Sequence, residues 1–212
     1  DDECAIAAED GATPRIYLFG FSRGAFAVRV LASLLQREVE FLGVWDTVKA
    51  TPGQDFGIAE LPPYVHQAFH AMAIDEHRSI FDVFRFAPLE RIRECWFSGS
   101  HTDVGGGYKQ RELADITLRW MAKQAIAAGL VVSPEKIPPE SSTPFPAAPQ
   151  IHNEDSGSWC FTNLFRKMKW KTQRIIDVGD AIDDTVLFIR DHWKNLISNA
   201  SLTKNNIFNR QA

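Results

Sequence analysis

Three residue types that cooperate in nucleophilic catalysis occur in this chain in the order serine, aspartate, histidine. Ser22 lies in Gly20-Phe21-Ser22-Arg23-Gly24, which fits the pattern G-x-S-x-G. A serine hydroxyl becomes a good nucleophile when a histidine takes its proton, and an aspartate can orient that histidine and stabilise its charged form. Asp46 and His101 are the candidates for these two roles. The chemistry that such a set performs is acyl transfer through a covalent intermediate.

The elements around Ser22 are those that such a nucleophile needs. Residues 15–19 form a short apolar run that predicts a buried strand, and residues 25–35 have the composition of a helix packed on a sheet. A strand, a G-x-S-x-G turn and a helix together predict a nucleophile elbow, in which the glycines permit a sharp turn. The alternative is a glycine-rich connection with an ordinary serine.

The other two candidates also follow predicted strands. Residues 40–45 predict a strand that ends at Asp46, and residues 94–97 predict one that ends just before the loop containing His101. Because the carboxyl ends of parallel strands meet at one edge of a sheet, Ser22, Asp46 and His101 are expected to lie together. For His101 alone, the alternative is a loop histidine that caps the next helix.

Two further residues have candidate roles. Asp103, two residues after His101, is a second candidate for the acid, although it is also suited to accept amide hydrogens from the turn at residues 105–107. Asp46 is the favoured acid. The backbone N–H of Arg23, at the start of the helix, is predicted to donate to an oxyanion.

The remaining pattern predicts an α/β fold with a mainly parallel sheet flanked by helices. Helices are expected at residues 66–74, 113–128 and 178–193, alternating with the strands. Only about a dozen residues precede the first strand, so the strands that usually come before a nucleophile strand are expected to be missing. Residues 1–212 are interpreted as a single domain with a loop rich in proline and serine at 133–150 and a flexible tail at 199–212.

The histidines in the helix predicted at residues 66–74 are better interpreted as a partly buried or surface pair than as a metal site. His66 and His70 have helical i, i+4 spacing and His77 follows, but no H-E-x-x-H glutamate lies between them. Residues 75–78 are then a polar helix end with Arg78 available for an ion pair. We therefore expect no metal and no other cofactor.

Composition and charge limit the classes of molecule that this protein is expected to bind. The net charge is −4 and the pI is about 5.9, which argues against nucleic acid as a partner. Residues 166–171 are a local basic exception, and this pattern is more typical of a solvated helix face than of a binding site for an anionic surface. No apolar run is long enough to cross a bilayer and the acidic start does not fit a signal peptide, so membrane contact is expected to be peripheral. Cysteines 4, 95 and 160 are scattered and are expected to be free thiols, with Cys95 buried in a strand.

Four motifs together resemble one family, the α/β-hydrolases that include the type VI secretion lipase effectors of the first class. The motifs are Gly20-Phe21-Ser22-Arg23-Gly24-Ala25, Gly43-Val44-Trp45-Asp46-Thr47-Val48, Ala73-Ile74-Asp75-Glu76-His77-Arg78 and His101-Thr102-Asp103-Val104-Gly105-Gly106-Gly107-Tyr108. They occur in the family's order, and the likeness covers roughly residues 15 to 130.

The resemblance implies a serine ester hydrolase with Ser22, Asp46 and His101 as its triad and glycerophospholipid as the substrate class. It also implies a bacterial protein that is cytoplasmic before secretion into target cells, with secretion or immunity partners that the sequence does not identify. A soluble carboxylesterase and a non-catalytic binding module on the same fold remain alternatives. The chain departs from the family in lacking an N-terminal strand with an Asp-Gly-Thr motif and in a shorter segment after the elbow helix, so the source of a second oxyanion donor is open.

Overall fold

Five parallel strands form one sheet in the part of the chain that the computed structural model describes, which is residues 14–49, 57–78, 81–140, 148–152, 174–177 and 179–193. The strands lie side by side in chain order. They are β1 (Tyr17–Phe21), β2 (Phe41–Trp45), β3 (Ala68–Ala73), β4 (Ile92–Phe97) and β5 (Ala181–Ile182). The predicted parallel α/β sheet is therefore confirmed.

Helices cover both faces of this sheet because neighbouring residues of a strand point to opposite sides. The helices are α1 (Arg23–Leu35), α2 (His101–Gly105), α3 (Glu112–Ala127) and α4 (Asp184–His192), and a short 3-10 turn spans Pro134–Lys136. Leu42 and Val44 of β2 pack in one apolar cluster with α1, whereas Phe41 packs in another with α3. The sheet is thus the middle layer of three.

The short connection between α1 and β2 is compatible with parallel pairing because α1 itself carries the chain back along the sheet. The helix ends at Leu35, and the next residue, Gln36, adopts a left-handed conformation with φ 49°. Tyr17 then pairs with Phe41 in parallel register. A helix of this length is enough for a right-handed crossover between neighbouring strands.

The helix predicted at residues 66–74 is wrong, because this segment contains strand β3. All six residues of the strand are buried, so both of its faces lie in the interior and the alternation typical of a half-exposed strand is absent. Alanine and methionine favour helices in isolation, and the tertiary position overrides that preference. His66 and His70 consequently lack helical spacing.

The helix predicted at residues 178–193 begins later than expected, at Asp184. Ala181 and Ile182 instead pair with Cys95 and Trp96 of β4. The side chain of Asp183 then accepts a hydrogen bond from the Thr185 N–H at 3.0 Å, which caps the helix.

Several sequence predictions fall outside the described residues. They concern part of the loop at 141–147, the basic segment 166–171, the tail at 199–212 and cysteines 4 and 160. Cys95 is buried in β4 as expected, with a free thiol. Among the described helices, none has the length and hydropathy needed to cross a membrane.

Asp180 holds the two-residue strand β5 against the sheet. Its carboxylate accepts two hydrogen bonds from the Arg85 guanidinium, at 2.7 and 3.0 Å, and one from the Trp96 indole N–H at 2.9 Å. Arg85 also donates to Glu94 on β4 at 2.8 Å. Side-chain contacts therefore compensate for the short backbone ladder.

We expect Asp180→Ala to lower the free energy of unfolding by about 1–3 kcal/mol, because it removes the partner of a half-buried guanidinium and of an indole N–H. Asp177→Ala is the matched control, since the Asp177 carboxylate is exposed and 3.6 Å from the same Arg85; its cost should stay below about 0.5 kcal/mol. Urea unfolding measures both. Equal losses in the two variants would contradict this account.

Candidate active site

Ser22 lies at the sharp turn between β1 and α1. Its backbone has φ 60° and ψ −127°, a conformation that non-glycine residues rarely adopt. The Ser22 N–H donates to the Trp45 carbonyl at 3.0 Å, and the Ser22 carbonyl accepts from the Phe26 and Val48 N–H groups. These bonds hold the strained backbone in place, as is common at functional turns.

The two glycines of the G-x-S-x-G motif are not equivalent. A Cβ added at Gly20 would lie 2.7 Å from the Gly24 carbonyl oxygen and 2.8 Å from backbone atoms of Ala25, whereas a Cβ at Gly24 would meet nothing within 4 Å. The expectation that both glycines permit the turn therefore holds on steric grounds for Gly20 alone. Gly20 is needed because helix α1 begins directly against strand β1.

Asp46 occupies the corresponding position at the end of the neighbouring strand. Phe21 pairs with Trp45 in register, so Ser22 and Asp46 are the next residues on adjacent strands. Asp46 also has a positive φ, 41°, and is fully buried. Its Oδ1 accepts the Ala73 N–H at 2.9 Å, which leaves Oδ2 directed toward the edge of the sheet.

His101 joins these two side chains. It is the first residue of α2, immediately beyond the loop that follows β4, and its Nε2 lies 2.8 Å from Ser22 Oγ while its Nδ1 lies 2.6 Å from Asp46 Oδ2. The Phe21 ring packs against the imidazole at 4.5 Å between centroids and the Phe81 ring meets it edge-on at 4.7 Å. The structure thus brings together all three residues expected from the sequence.

This arrangement has a defined proton pattern. Asp46 is an acceptor when ionised, so the tautomer assigned to His101 carries its proton on Nδ1 and offers Nε2 as the acceptor for the Ser22 hydroxyl. A neutral imidazole in this tautomer can accept the serine proton. The geometry is that of a nucleophile, a base and a residue that orients the base.

No motif in the sequence pointed to the fourth side chain at this site, Arg174. It lies 128 residues after Asp46 and donates to both carboxylate oxygens, with Nη1 to Oδ1 at 2.5 Å and Nη2 to Oδ2 at 3.0 Å. Burial by itself would raise the pKa of Asp46, but the Arg174 charge and the hydrogen bond from His101 hold that pKa well below its usual range. Asp46 is therefore ionised.

Asp103 is not placed as the acid for His101. Its Oδ2 accepts hydrogen bonds from the Ser100 N–H at 2.9 Å and the Ser100 hydroxyl at 3.0 Å, and its Oδ1 lies 2.6 Å from His152 Nδ1. The ring of His152 stacks on Tyr108 at 3.8 Å. Asp103 thus closes the first turn of α2 and attaches residues 148–152 to it.

The segment at residues 75–78 is a buried cluster after β3, so the predicted polar helix end is wrong. The Arg78 guanidinium donates two hydrogen bonds of 2.8 Å to the Glu76 carboxylate. Arg78 therefore forms an ion pair, as expected from the sequence. Glu76 Oε2 also accepts the His101 N–H at 3.3 Å, and Arg78 lies 3.8 Å over the Phe81 ring. This cluster supports the backbone and the ring packing of His101.

His70 is a buried hydrogen-bond partner rather than a metal ligand. The Thr47 N–H donates to His70 Nε2 at 3.1 Å, so the proton lies on Nδ1, 2.9 Å from Glu94 Oε1. Burial lowers the pKa of His70, which keeps the ring neutral. The described residues contain no cluster of three or more histidine, cysteine, aspartate or glutamate side chains suited to a metal ion.

A cavity of about 570 Å³ lies beside these residues, lined by Phe21, Trp45 and Tyr108 among others. The Phe21 ring that lines it is the ring that packs on His101. A second, almost wholly apolar space of about 220 Å³ shares Phe19, Trp45 and Leu118 with the first. The larger space has a mixed lining, because Arg111 and Asp115 line it together with the aromatic rings.

Comparisons with known proteins identify related sequences. A family model for the catalytic domain of Tle1-like phospholipase effectors of the type VI secretion system matches residues 9–37 and 35–124, more than half of the 212 residues. An uncharacterized protein of Saccharomyces cerevisiae is 41% identical over 49 residues, which are 21% of this chain and 7% of the yeast protein.

Chains in solved structures also match this sequence. A crystal structure of an uncharacterized protein from Pseudomonas aeruginosa has 24% identity and a TM-score of 0.48, over 63% of this chain and 28% of that one. A structure of the Tle1 effector bound to the VgrG spike of the type VI secretion system has 27% identity and a TM-score of 0.37, over 45% of this chain and 25% of that one. This chain therefore spans less than a third of the length of each of these relatives.

Substitution of the two motif glycines should have opposite effects. Gly20→Ala forces a Cβ against backbone atoms and should lower the free energy of unfolding by about 1–3 kcal/mol. Gly24→Ala, in an open position within α1, should be neutral or stabilise by up to about 1 kcal/mol through its helix propensity. Chemical denaturation of the pair tests this, and equal stability of the two variants would count against the steric explanation.

The buried carboxyl of Asp75 should make stability fall as pH rises. Its Oδ2 accepts the Gly99 N–H at 2.8 Å, its Oδ1 has no hydrogen-bond partner among the described residues, and burial raises its pKa to about 6 from 3.8 despite that N–H bond. Because the folded state binds this proton more tightly than the unfolded state, stabilisation is full below about pH 4 and is lost through about pH 6. A shift of about two units corresponds to about 3 kcal/mol.

Asp75→Asn should remove this dependence, because an amide keeps the acceptor for Gly99 without a charge. The stability of the variant relative to the wild type should rise by up to about 3 kcal/mol between pH 4 and pH 7. Urea unfolding at four or five pH values provides the comparison. Parallel stability curves for the two proteins would show that Asp75 does not titrate in this range.

Proposed function

Because the chain belongs to the family of Tle1-like catalytic domains of type VI secretion phospholipase effectors, we propose that it is a serine ester hydrolase that cleaves glycerophospholipids. The observation that carries the proposal is the continuous hydrogen-bonded chain from Asp46 through His101 to Ser22 Oγ, with both bonds shorter than 3 Å. Ser22, His101 and Asp46 are its proposed nucleophile, base and orienting acid.

The proposed reaction has two halves. Ser22 Oγ attacks the ester carbonyl carbon as its proton passes to His101 Nε2, and the tetrahedral intermediate expels the lipid alcohol, which takes that proton. A water molecule then loses a proton to His101 and attacks the acyl-serine, releasing the fatty acid and restoring the Ser22 hydroxyl. Asp46 stabilises the imidazolium in both halves, and no cofactor is required.

Arg23 is proposed to contribute an oxyanion donor through its backbone. It is the first residue of α1. The N–H groups of a first helical turn have no intrahelical acceptor and carry the positive end of the helix dipole. They are suited to the negative charge that develops on the carbonyl oxygen. The side chain of Arg23 is exposed beside Ser22.

The apolar part of these two neighbouring spaces supports a lipid as the substrate. Its walls include Phe19, Phe21 and Trp45, and two of these residues directly precede Ser22 and Asp46 in the chain. Burial of an acyl chain is favourable by about 0.8 kcal/mol per methylene. The family further supports a bacterial effector that is made in the cytoplasm, delivered by a type VI secretion system and active at a membrane surface, with an unidentified secretion or immunity partner.

A fluorophosphonate probe tests the nucleophile. We expect covalent labelling of the folded protein at Ser22, abolished in Ser22→Ala and retained in Ser33→Ala, because Ser33 bonds to the Val30 carbonyl within α1 and lies outside the site. Hydrolysis by Ser22→Ala should fall at least about 10³-fold. Folded wild-type protein that is never labelled at Ser22 would exclude the mechanism and favour a non-catalytic binding module.

Substrate comparison tests the lipid assignment. Vesicles of phosphatidylethanolamine and phosphatidylglycerol should release fatty acid and lysophospholipid with the wild type and not with Ser22→Ala. A short soluble ester serves as the comparison, since a carboxylesterase would cleave it as well or better. Cleavage of the soluble ester with intact vesicles would overturn the lipase assignment while leaving the serine mechanism in place.

A further inference from the structure

Arg174 is the only group in the described residues that contacts both oxygens of the Asp46 carboxylate. Its side chain is 4% exposed, and besides Asp46 it donates to the Ala73 carbonyl at 2.8 Å and to the Phe81 carbonyl at 2.5 Å. These contacts lie at the end of β3 and beside the ring that packs on His101. The guanidinium therefore joins three segments that surround the site.

The hydrogen bonds to Asp46 fix the direction of its carboxylate. Oδ1 accepts from Ala73 and Arg174, and Oδ2 accepts from Arg174 and His101. A planar guanidinium that contacts both oxygens fixes the carboxylate plane as well as its position, which an ammonium group does not do. Oδ2 is thereby held in line with His101 Nδ1.

Charge around the imidazole is balanced in two pairs. On one side the Asp46 carboxylate is neutralised by Arg174, and on the other the Glu76 carboxylate near the His101 N–H is neutralised by Arg78. Of the other titratable groups nearby, His70 is neutral behind the Thr47 amide and Asp103 is bonded to His152. Asp75 accepts the Gly99 N–H but has no charged partner, and burial raises its pKa to about 6. Without Arg174, the Asp46 charge would act on His101 uncompensated and favour the imidazolium.

From these contacts we infer that Arg174 is a positioning residue of the site: it fixes the Asp46 carboxylate and offsets its charge, so that His101 stays unprotonated, and able to act as a base, to lower pH. This inference rests on the proposed function for its catalytic consequence. It also means that the site is completed by a residue beyond the segment matched by the family model, which ends at residue 124.

The test compares Arg174→Met and Arg174→Lys with the wild type. Arg91→Met is the matched control, because Arg91 likewise donates to several backbone carbonyls, those of residues 61–63 and 65, but contacts neither His101 nor Asp46. Two readouts are used: the pH dependence of kcat/KM for the vesicle substrate, and an NMR titration of the His101 imidazole, which does not depend on turnover.

In Arg174→Met, we expect both the acidic limb of the rate profile and the imidazole midpoint to move about one unit toward higher pH, a roughly tenfold change in proton affinity. The loss in kcat/KM should accordingly be larger at pH 6 than at pH 8.5. Arg174→Lys keeps the charge but not the planar contact, so its midpoint should stay near that of the wild type while kcat falls at every pH. Arg91→Met should lower stability without moving either readout.

An unchanged midpoint in folded Arg174→Met, or a loss of activity that is equal at every pH, would overturn the inference. If Arg174→Met does not fold, the kcat of Arg174→Lys is the deciding measurement. A lowered kcat would support a positioning role, and a wild-type kcat would contradict it. Failure of the proposed function looks different: wild-type protein would resist the fluorophosphonate probe and leave vesicles intact, while the NMR comparison still tests the contact between Arg174 and the pair of Asp46 and His101.

Discussion

The ionised carboxylate of Asp46 sets the constraint on which the architecture of the site depends. A buried carboxylate is costly unless hydrogen bonds and an opposite charge replace the water it loses. Here the replacement comes from the Ala73 N–H, the His101 imidazole and the Arg174 guanidinium. These groups belong to the end of β3, the start of α2 and the segment before β5. Four separate parts of the chain therefore meet at one buried charge.

Aromatic rings and paired charges surround His101. The imidazole contacts two aromatic rings, which shield it from water, and lies between two carboxylates that are each paired with an arginine. Low exposure strengthens electrostatic interactions in such a site, so an unpaired carboxylate would favour the imidazolium form of His101 more strongly. In the proposed mechanism, this pairing allows the proton to move between Ser22 and His101.

The parallel sheet supplies the geometry that these charges need. Ser22 and Asp46 follow residues that pair in register on β1 and β2, and each adopts a positive φ at the point where its strand ends. The backbone hydrogen bond from Ser22 to Trp45 links these two turns directly. In the described sheet, β1 is a half-buried edge strand that pairs with β2 alone, whereas β2 is buried and paired on both sides. The support for both strained turns therefore comes from β2.

The sequence by itself determined the local pieces: strands before Ser22 and Asp46, a strand before His101, the elbow helix, the long helix α3 and the three residues at the strand ends. These follow from apolar runs, glycine positions and strand-end chemistry, which act over a few neighbouring residues. Only the tertiary structure decided that residues 68–73 form a central strand, because burial on both faces removes the alternation that marks a strand in sequence. It also decided that Asp103 bonds to Ser100 at the start of α2 and that Arg174 binds the Asp46 carboxylate. The contact between Arg174 and Asp46 spans 128 residues, so it is set by folding and leaves no local pattern.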